Sequence, residues 1–221
     1  MGTYPAIPER LLKIDEFIAL QHYHVNVEDD CYHLWERETG ARWDQNPVNQ
    51  LIKNLQITNS ETDENPNRLY YKKQAALHSI KALNQTIPAE WRRFTFVPVP
   101  PSIIASNPGY DPRLPEILKW ITGLSDVREI VRLTQSGTSK QKSISPETRA
   151  STYELDEALC TPEPQRIFIF DDVLTGGSHF AGMKIALRRK FSCVPISGIF
   201  LARSIHSEPL SLGSLFTSTQ D

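Results

Sequence analysis

The sequence predicts an α/β protein, an open and mostly parallel sheet of about five strands with helices on both faces. Three observations carry this. Apolar residues recur at helical spacing in some stretches and form short continuous runs, suited to buried strands, in others. Residues 166–202 read strand, glycine turn, helix, strand, the order of a βαβ unit, whose crossover makes its strands parallel. The 221 residues, 39% hydrophobic and 23% charged, suffice for one sizeable core with a smaller appendage.

The elements follow in order. Residues 8–21 are predicted helical, and residues 22–43 alternate enough for one or two short strands or a hairpin. Asn46-Pro47 opens a short helix, because asparagine caps and proline suits the first helical position; Leu51, Ile52 and Leu55 share its apolar face. The acidic, turn-rich NSETDENPN, residues 59–67, reads as an exposed connection. It divides an N-terminal accessory region, 1–66, from a core, 67–221.

From Arg68, Leu69, Tyr70, Ala76, Leu77, Ile80, Leu83 and Ile87 recur at three- and four-residue spacing until Pro88, an amphipathic helix. FTFVPVP, residues 94–100, is a buried strand ending in a proline-constrained loop. A helix over 112–122, stopped by Gly123, precedes a strand near VREIVRLT. The polar stretch 134–149 is a candidate mobile loop, with Ser145-Pro146-Glu147 able to start a short helix. RIFIFDD (166–172), a helix over 178–191 and the strand VPISGIFLA (194–202) complete the core, and the tail after Ser204 gives no assignment.

Composition excludes several functions. The net charge of −2 argues against broad electrostatic adhesion to nucleic acid or anionic lipid. No apolar run spans a membrane, MGTYPAIPER lacks a signal-peptide core, and Cys31, Cys160 and Cys193 form no CxxC, so a soluble cytoplasmic protein with reduced thiols is expected. No GxxxxGK[ST] occurs, which removes a P-loop nucleotidase. HYH and CYH lack the paired spacing of a structural zinc site.

IFIFDDVLTGGSH carries the chemistry. Ligands of open α/β folds bind at the carboxyl ends of parallel strands, and this end bears Asp171, Asp172, Gly176 and Gly177. The glycines permit a tight turn that directs amides inward, and the helix start adds a positive dipole end, together an anion cradle. Thr175 and Ser178 add hydroxyls; the carboxylates suit sugar hydroxyls and a metal carried by a polyphosphate. The ligand these residues imply is a ribose phosphate.

This stretch resembles the signature of the type I phosphoribosyltransferases: apolar strand, two acids, two variable residues and a Thr/Gly phosphate loop. The resemblance implies that Asp171 and Asp172 hold the ribose of phosphoribosyl pyrophosphate (PRPP) with its Mg²⁺, and that Thr175, Gly176, Gly177, Ser178 and His179 hold the 5-phosphate. FVPVPPS, residues 96–102, is similar to the pyrophosphate loop of ComF-like and amidophosphoribosyltransferase-like members, which assigns Pro100, Pro101 and Ser102 to pyrophosphate. YDPR at 110–113 resembles the cluster that follows that loop, making Arg113 an anion contact. SKQKSISPETR falls where the family keeps its flexible catalytic loop, so Lys140, Lys142 and Arg149 would close over pyrophosphate. The resemblance covers roughly 67–205, and residues 1–66 would be the variable hood that receives the second substrate.

The chain departs from the pattern at Gly176, where a second threonine is usual, and at His179, where threonine or serine commonly ends the loop. Thr175 stands where purine-salvage members carry a carboxylate, which disfavours purine salvage, and no basic residue follows the proline pair. Two readings result. The first is an Mg²⁺-dependent phosphoribosyltransferase with an unidentified acceptor. The second is a module of the same fold that senses PRPP or a nucleotide and regulates a partner. A second copy of the chain, a regulatory protein and, least favoured, nucleic acid stay open as partners.

Overall fold

The structure, a computed structural model, describes residues 4–104, 106–107, 109–134 and 144–206. Lys140 and Lys142 lie outside the described residues. Described strands are β1 (Leu12–Lys13), β2 (Tyr32–Thr39), β3 (Thr95–Pro98), β4 (Asp126–Val127), β5 (Val131–Leu133), β6 (Tyr153–Leu155), β7 (Ile167–Leu174) and β8 (Ile196–His206). The α-helices are α1 (Glu16–Ala19), α2 (Pro47–Leu55), α3 (Asn59–Glu64), α4 (Pro66–Thr86), α5 (Arg113–Lys119), α6 (Pro146–Ser151) and α7 (Ser178–Arg188).

One six-stranded sheet, in the order β1-β2-β8-β7-β3-β4, runs through the molecule. Every neighbouring pair in it is parallel except β1 with β2, so the sheet is mixed and mostly parallel. At its centre Ile167, Phe168, Ile169 and Phe170 of β7 are fully buried, as a strand covered on both faces requires. The connection β3-α5-β4 travels one way along the sheet and β7-α7-β8 the other. Right-handed crossovers in opposite directions put α5 and α7 on opposite faces. Accordingly α2, α4 and α5 pack as one layer, while α6 packs on α7.

Two predicted elements differ, and a third resolves among its alternatives. Residues 8–21 are not one helix: Leu12 pairs with His33 at the sheet edge, and Asp15 caps the single turn α1 by accepting from the Ile18 amide. Two strand residues and one cap thus satisfy a backbone whose apolar spacing resembles a helix. Residues 22–43 hold one strand, β2, which is the first of the expected forms, and not a hairpin. β2 instead lies parallel to β8, with Trp35 opposite Ala202 and Arg37 opposite Ser204, so the sheet continues past the boundary drawn at residue 66. The connection at 59–67 holds α3, whose Thr58 and Glu61 form a reciprocal capping box.

The strand expected near 127–134 divides in two. β4 joins the main sheet and β5 pairs antiparallel with β6, which the sequence did not announce. In α4 the buried stripe is Ala75, Ser79, Ala82, Leu83 and Thr86, while Leu77 is 58% exposed. Small residues let α2 and α5 approach that stripe closely. No helix among the described residues is long and apolar enough to cross a membrane.

Candidate functional site

The two crossovers diverge between β3 and β7, and this is where an open α/β sheet leaves a crevice at its carboxyl edge. Local sequence opens it. β3 pairs with β7 as far as Pro98 opposite Phe170, and the Val99 amide donates to the Phe170 carbonyl at 2.9 Å. Pro100 and Pro101 have no N–H to extend the ladder, so the chain turns away. β7 continues alone on that side, still paired with β8, with Asp171 opposite Phe200 and Val173 opposite Ala202. Both acids therefore lie within a strand, at its unpaired edge.

A cavity of about 280 Å³ fills the gap. Of the predicted residues it brings together Pro100, Pro101, Ser102, Arg113, Asp171, Asp172, Thr175 and His179. Gly176, Gly177 and Ser178 stand beside it, in the turn that leads into α7. Gly177 has φ of +87° and is the N-cap of α7, with no side chain capping the helix. The first amides of a helix have no intrahelical partner, so this end is free to meet an anion. Arg149 is not part of the cavity wall. Its Cβ lies 3.0 Å from where a side chain on Gly182 would begin, and its Nε is buried without a partner among the described residues.

The two carboxylates line the same cavity and feel each other's charge, but their partners differ. Asp172 Oδ2 accepts from Arg113 Nη2 at 2.8 Å, Arg113 Nε at 3.2 Å and Gln56 Nε2 at 3.0 Å. Arg113 also pairs with Asp111 at 3.3 Å, and Asp111 with Lys72 at 2.9 Å. Burial acts to raise Asp172, yet Arg113 and Gln56 outweigh it and hold the carboxyl below its ordinary range. Asp171 Oδ1 accepts from the Asp172 amide at 2.8 Å but pairs with no cation among the described residues. Burial first, and the Asp172 charge second, push its carboxyl well above the ordinary range. Burial, with the charge of Arg149 second, pushes His179 down to about 4, so its imidazole is neutral.

Three residues from the N-terminal region complete the site and were missed by the sequence reading. Gln56, at the end of α2, reaches Asp172. Arg37, on β2, lines the cavity and makes no side-chain hydrogen bond or ion pair among the described residues. His22 Nδ1 hydrogen-bonds the Thr175 carbonyl. A carbonyl only accepts, so Nδ1 carries the proton. The neighbouring His24 amide donates to the Gly176 carbonyl at 3.0 Å. Residues 22–25 thus hold the carbonyl side of the 175–177 turn. The sequence signal for these partners was slight: a polar residue at a helix end, a charge at a strand end and a histidine beside alternating residues.

Asp171 and Asp172 are also the candidate metal ligands. Among the described residues no group of three or more His, Cys, Asp or Glu could hold a metal ion. A resident cation therefore lacks a cage. Mg²⁺ arriving on a diphosphate needs only one or two carboxylates, which Asp172 and, once it has released its proton, Asp171 can supply. A scan against protein-family models finds no match to the chain, and a search of curated proteins finds none either.

Proposed function

We propose that the crevice binds PRPP and that the protein transfers its phosphoribosyl group to an acceptor. The observation that carries this reading is the pair Asp171-Asp172 at the point where the crossovers diverge, with a glycine turn and an uncapped helix start on the adjoining wall. The carboxylates accept from the ribose hydroxyls. The Thr175 hydroxyl and the first amides of α7 take the 5-phosphate. Pro100, Pro101 and Ser102 border the diphosphate. When bound, Mg²⁺ neutralises charge on that leaving group, and the carboxylates of Asp171 and Asp172 would hold it.

In the transfer, the bond between the anomeric carbon and the diphosphate oxygen breaks, and diphosphate departs with the electron pair. The acceptor lone pair forms the new bond to that carbon, and the acceptor proton passes to solvent. Catalysis of this kind rests on orientation and on preorganised donors around the departing anion. A cytoplasmic location suits the unpaired thiols of Cys31, Cys160 and Cys193.

A second reading has one observation in its favour. Arg113, which the sequence assigns to the anion, already serves Asp172 and Asp111. With Arg113 so engaged, one cation fewer among the described residues is free for the leaving group, which favours a module that binds PRPP without turning it over and signals to a partner protein.

Calorimetric titration of PRPP with and without Mg²⁺, beside the Asp171→Asn/Asp172→Asn double variant, tests the assignment, with pyrophosphate release followed in the same samples. Binding that the double variant abolishes supports it, and release of pyrophosphate with an acceptor supports the transferase. Absence of binding by the parent protein sinks both readings.

A further inference from the structure

A second chamber, also about 280 Å³, adjoins the acid crevice. Arg37 and Thr175 line both, so the two share a wall. The second chamber is otherwise walled by the carboxyl ends of β2 and β8, including Ser204 and His206, by Asn49 on α2, by Gln21 and Tyr23, and by Gly176 of the glycine turn. None of these residues belongs to the acid pair or the proline loop.

Two unmet hydrogen-bonding demands meet here. The first is Arg37. It is half-buried, yet its guanidinium has no partner among the described residues. The arginines nearby are engaged: Arg113 by Asp172 and Asp111, and Arg203 by Glu36 and Gln21. A guanidinium half withdrawn from water without a hydrogen-bonding partner is unfavourable, and an anion beside it relieves that cost. The second is Asn49, which is 6% exposed. Its Nδ2 donates to the Glu38 and Ala41 carbonyls, at 2.8 and 3.2 Å, and this fixes which end of the amide is oxygen. That Oδ1 has no donor among the described residues.

The chemistry of the wall narrows the occupant. The planar guanidinium presents a fork that matches a carboxylate through two parallel bonds. Arg37 brings one positive charge to this wall, enough to neutralise a carboxylate and not a phosphate dianion. The volume lies at the low end for ligand pockets, the size of a single substituted ring.

We infer that this chamber binds a small ring compound bearing a carboxylate and an N–H or O–H donor, the carboxylate on Arg37 and the donor toward Asn49. Resting on the assignment of the neighbouring crevice to PRPP, this compound is the acceptor. Thr175, on the shared wall, borders both ligands, which brings the ring within reach of the sugar.

Pyrrole-2-carboxylate and its uncharged carboxamide are the pair of probes: they share the ring and its N–H, and the carboxamide replaces the charge with an NH₂. Backbone amide NMR shifts are followed in the parent, in Arg37→Gln and in Arg37→Lys, with PRPP titrated separately into the parent. The carboxylate is expected to shift amides of 37–41 and 204–206, and the carboxamide to bind at least tenfold more weakly. Arg37→Gln is expected to abolish the shifts, while Arg37→Lys, which keeps the charge and loses the fork, binds several-fold more weakly than the parent. Equal binding of the two probes, carboxylate binding indifferent to Arg37→Gln, or no shift at those amides overturns the inference. PRPP binding in the parent would then still stand. Conversely, Arg37-dependent carboxylate binding without PRPP binding removes the PRPP assignment and leaves a carboxylate site.

Discussion

Arg113 and Asp172 meet at the crevice, with Nη2 at 2.8 Å and Nε at 3.2 Å from one carboxylate oxygen. Their residues lie 59 apart in sequence, and the pair ties the start of α5 to β7. The remaining nitrogen, Nη1, goes to Asp111, whose other oxygen takes Lys72. The chain therefore spans α4, α5 and β7 with alternating charge.

Removing one partner of such a pair leaves a buried charge uncompensated. Arg113→Gln is expected to lose about 3 kcal/mol of stability, read as a lower urea midpoint. Adding Asp172→Asn to that variant should recover at least about 1 kcal/mol, because the exposed cost was the stranded carboxylate. A purely additive loss would mean the two groups do not act as a pair.

Asp171 has the opposite sign. Its carboxyl is raised by burial and by Asp172, so the folded state binds a proton that the unfolded chain has already released. Stability from this group is full below the ordinary carboxylate range and is lost as pH rises through the raised value. Asp171→Asn should therefore be more stable than the parent at neutral pH, with the gap closing in acid, while PRPP binding is lost. For Asp172, held low, the contribution is present above the ordinary range and is lost as pH falls through its folded value. Thermal melts of the two single variants across acid and neutral pH distinguish the pair.

His179 and His33 are each pushed down to about 4 from 6.5, by burial first and by the charge of Arg149 or Arg203 second. Between those values the unfolded chain binds more protons than the folded one, so stability rises with pH through the window and is lost as pH falls toward 4. Imidazole proton resonances of both residues are expected to stay in the neutral position down to about 4. Titration of either near its ordinary value would contradict its burial.

The glycine turn separates two neighbours. A Cβ on Gly177 would lie 2.7 Å from Val25 Cγ2, at a φ of +87°. On Gly176 its nearest contact would be Tyr23 at 3.9 Å. Gly177→Ala should cost about 2 kcal/mol or more, combining left-handed strain with the clash, and Gly176→Ala less than about 0.5 kcal/mol. Chemical denaturation of the two variants reads the difference.

His22 offers a finer test of the same turn. His22→Ala leaves the Thr175 carbonyl without its donor and should lower stability by about 1 kcal/mol. His22→Asn, whose amide nitrogen sits near the position of Nδ1, should restore most of it, whereas His22→Gln should not. Equal behaviour of the Asn and Gln variants would show that ring volume, not this hydrogen bond, is what His22 supplies.

Much of the central sheet was legible because its signals are local. Ile167 to Phe170 read as a strand buried on both faces, since a parallel central strand has no solvent side to mark with polar residues. Asn46 and Pro47 announced α2 through a cap, and Asn46 Oδ1 accepts the Val48 and Asn49 amides as expected. The acid pair, the glycine turn and the proline loop were recognisable as short motifs, and the cavity joins residues from all three. Less could be read where pairing is distant. β1 contributes two residues and β4 two, too few for any period to register.

The sequence by itself determined the α/β class, the strand that bears Asp171 and Asp172, and the turn into α7, because each depends on residues within about ten positions of one another. Only the tertiary structure decided that β2 enters the main sheet beside β8, which brings Arg37 to the edge of the crevice. Only it decided that Arg113 pairs with Asp172 and not with Asp171, setting two adjacent carboxyls to opposite protonation tendencies. The physical reason is common to these cases. Strand order and ion pairing are long-range choices, made by which buried faces and charges find each other in the folded chain.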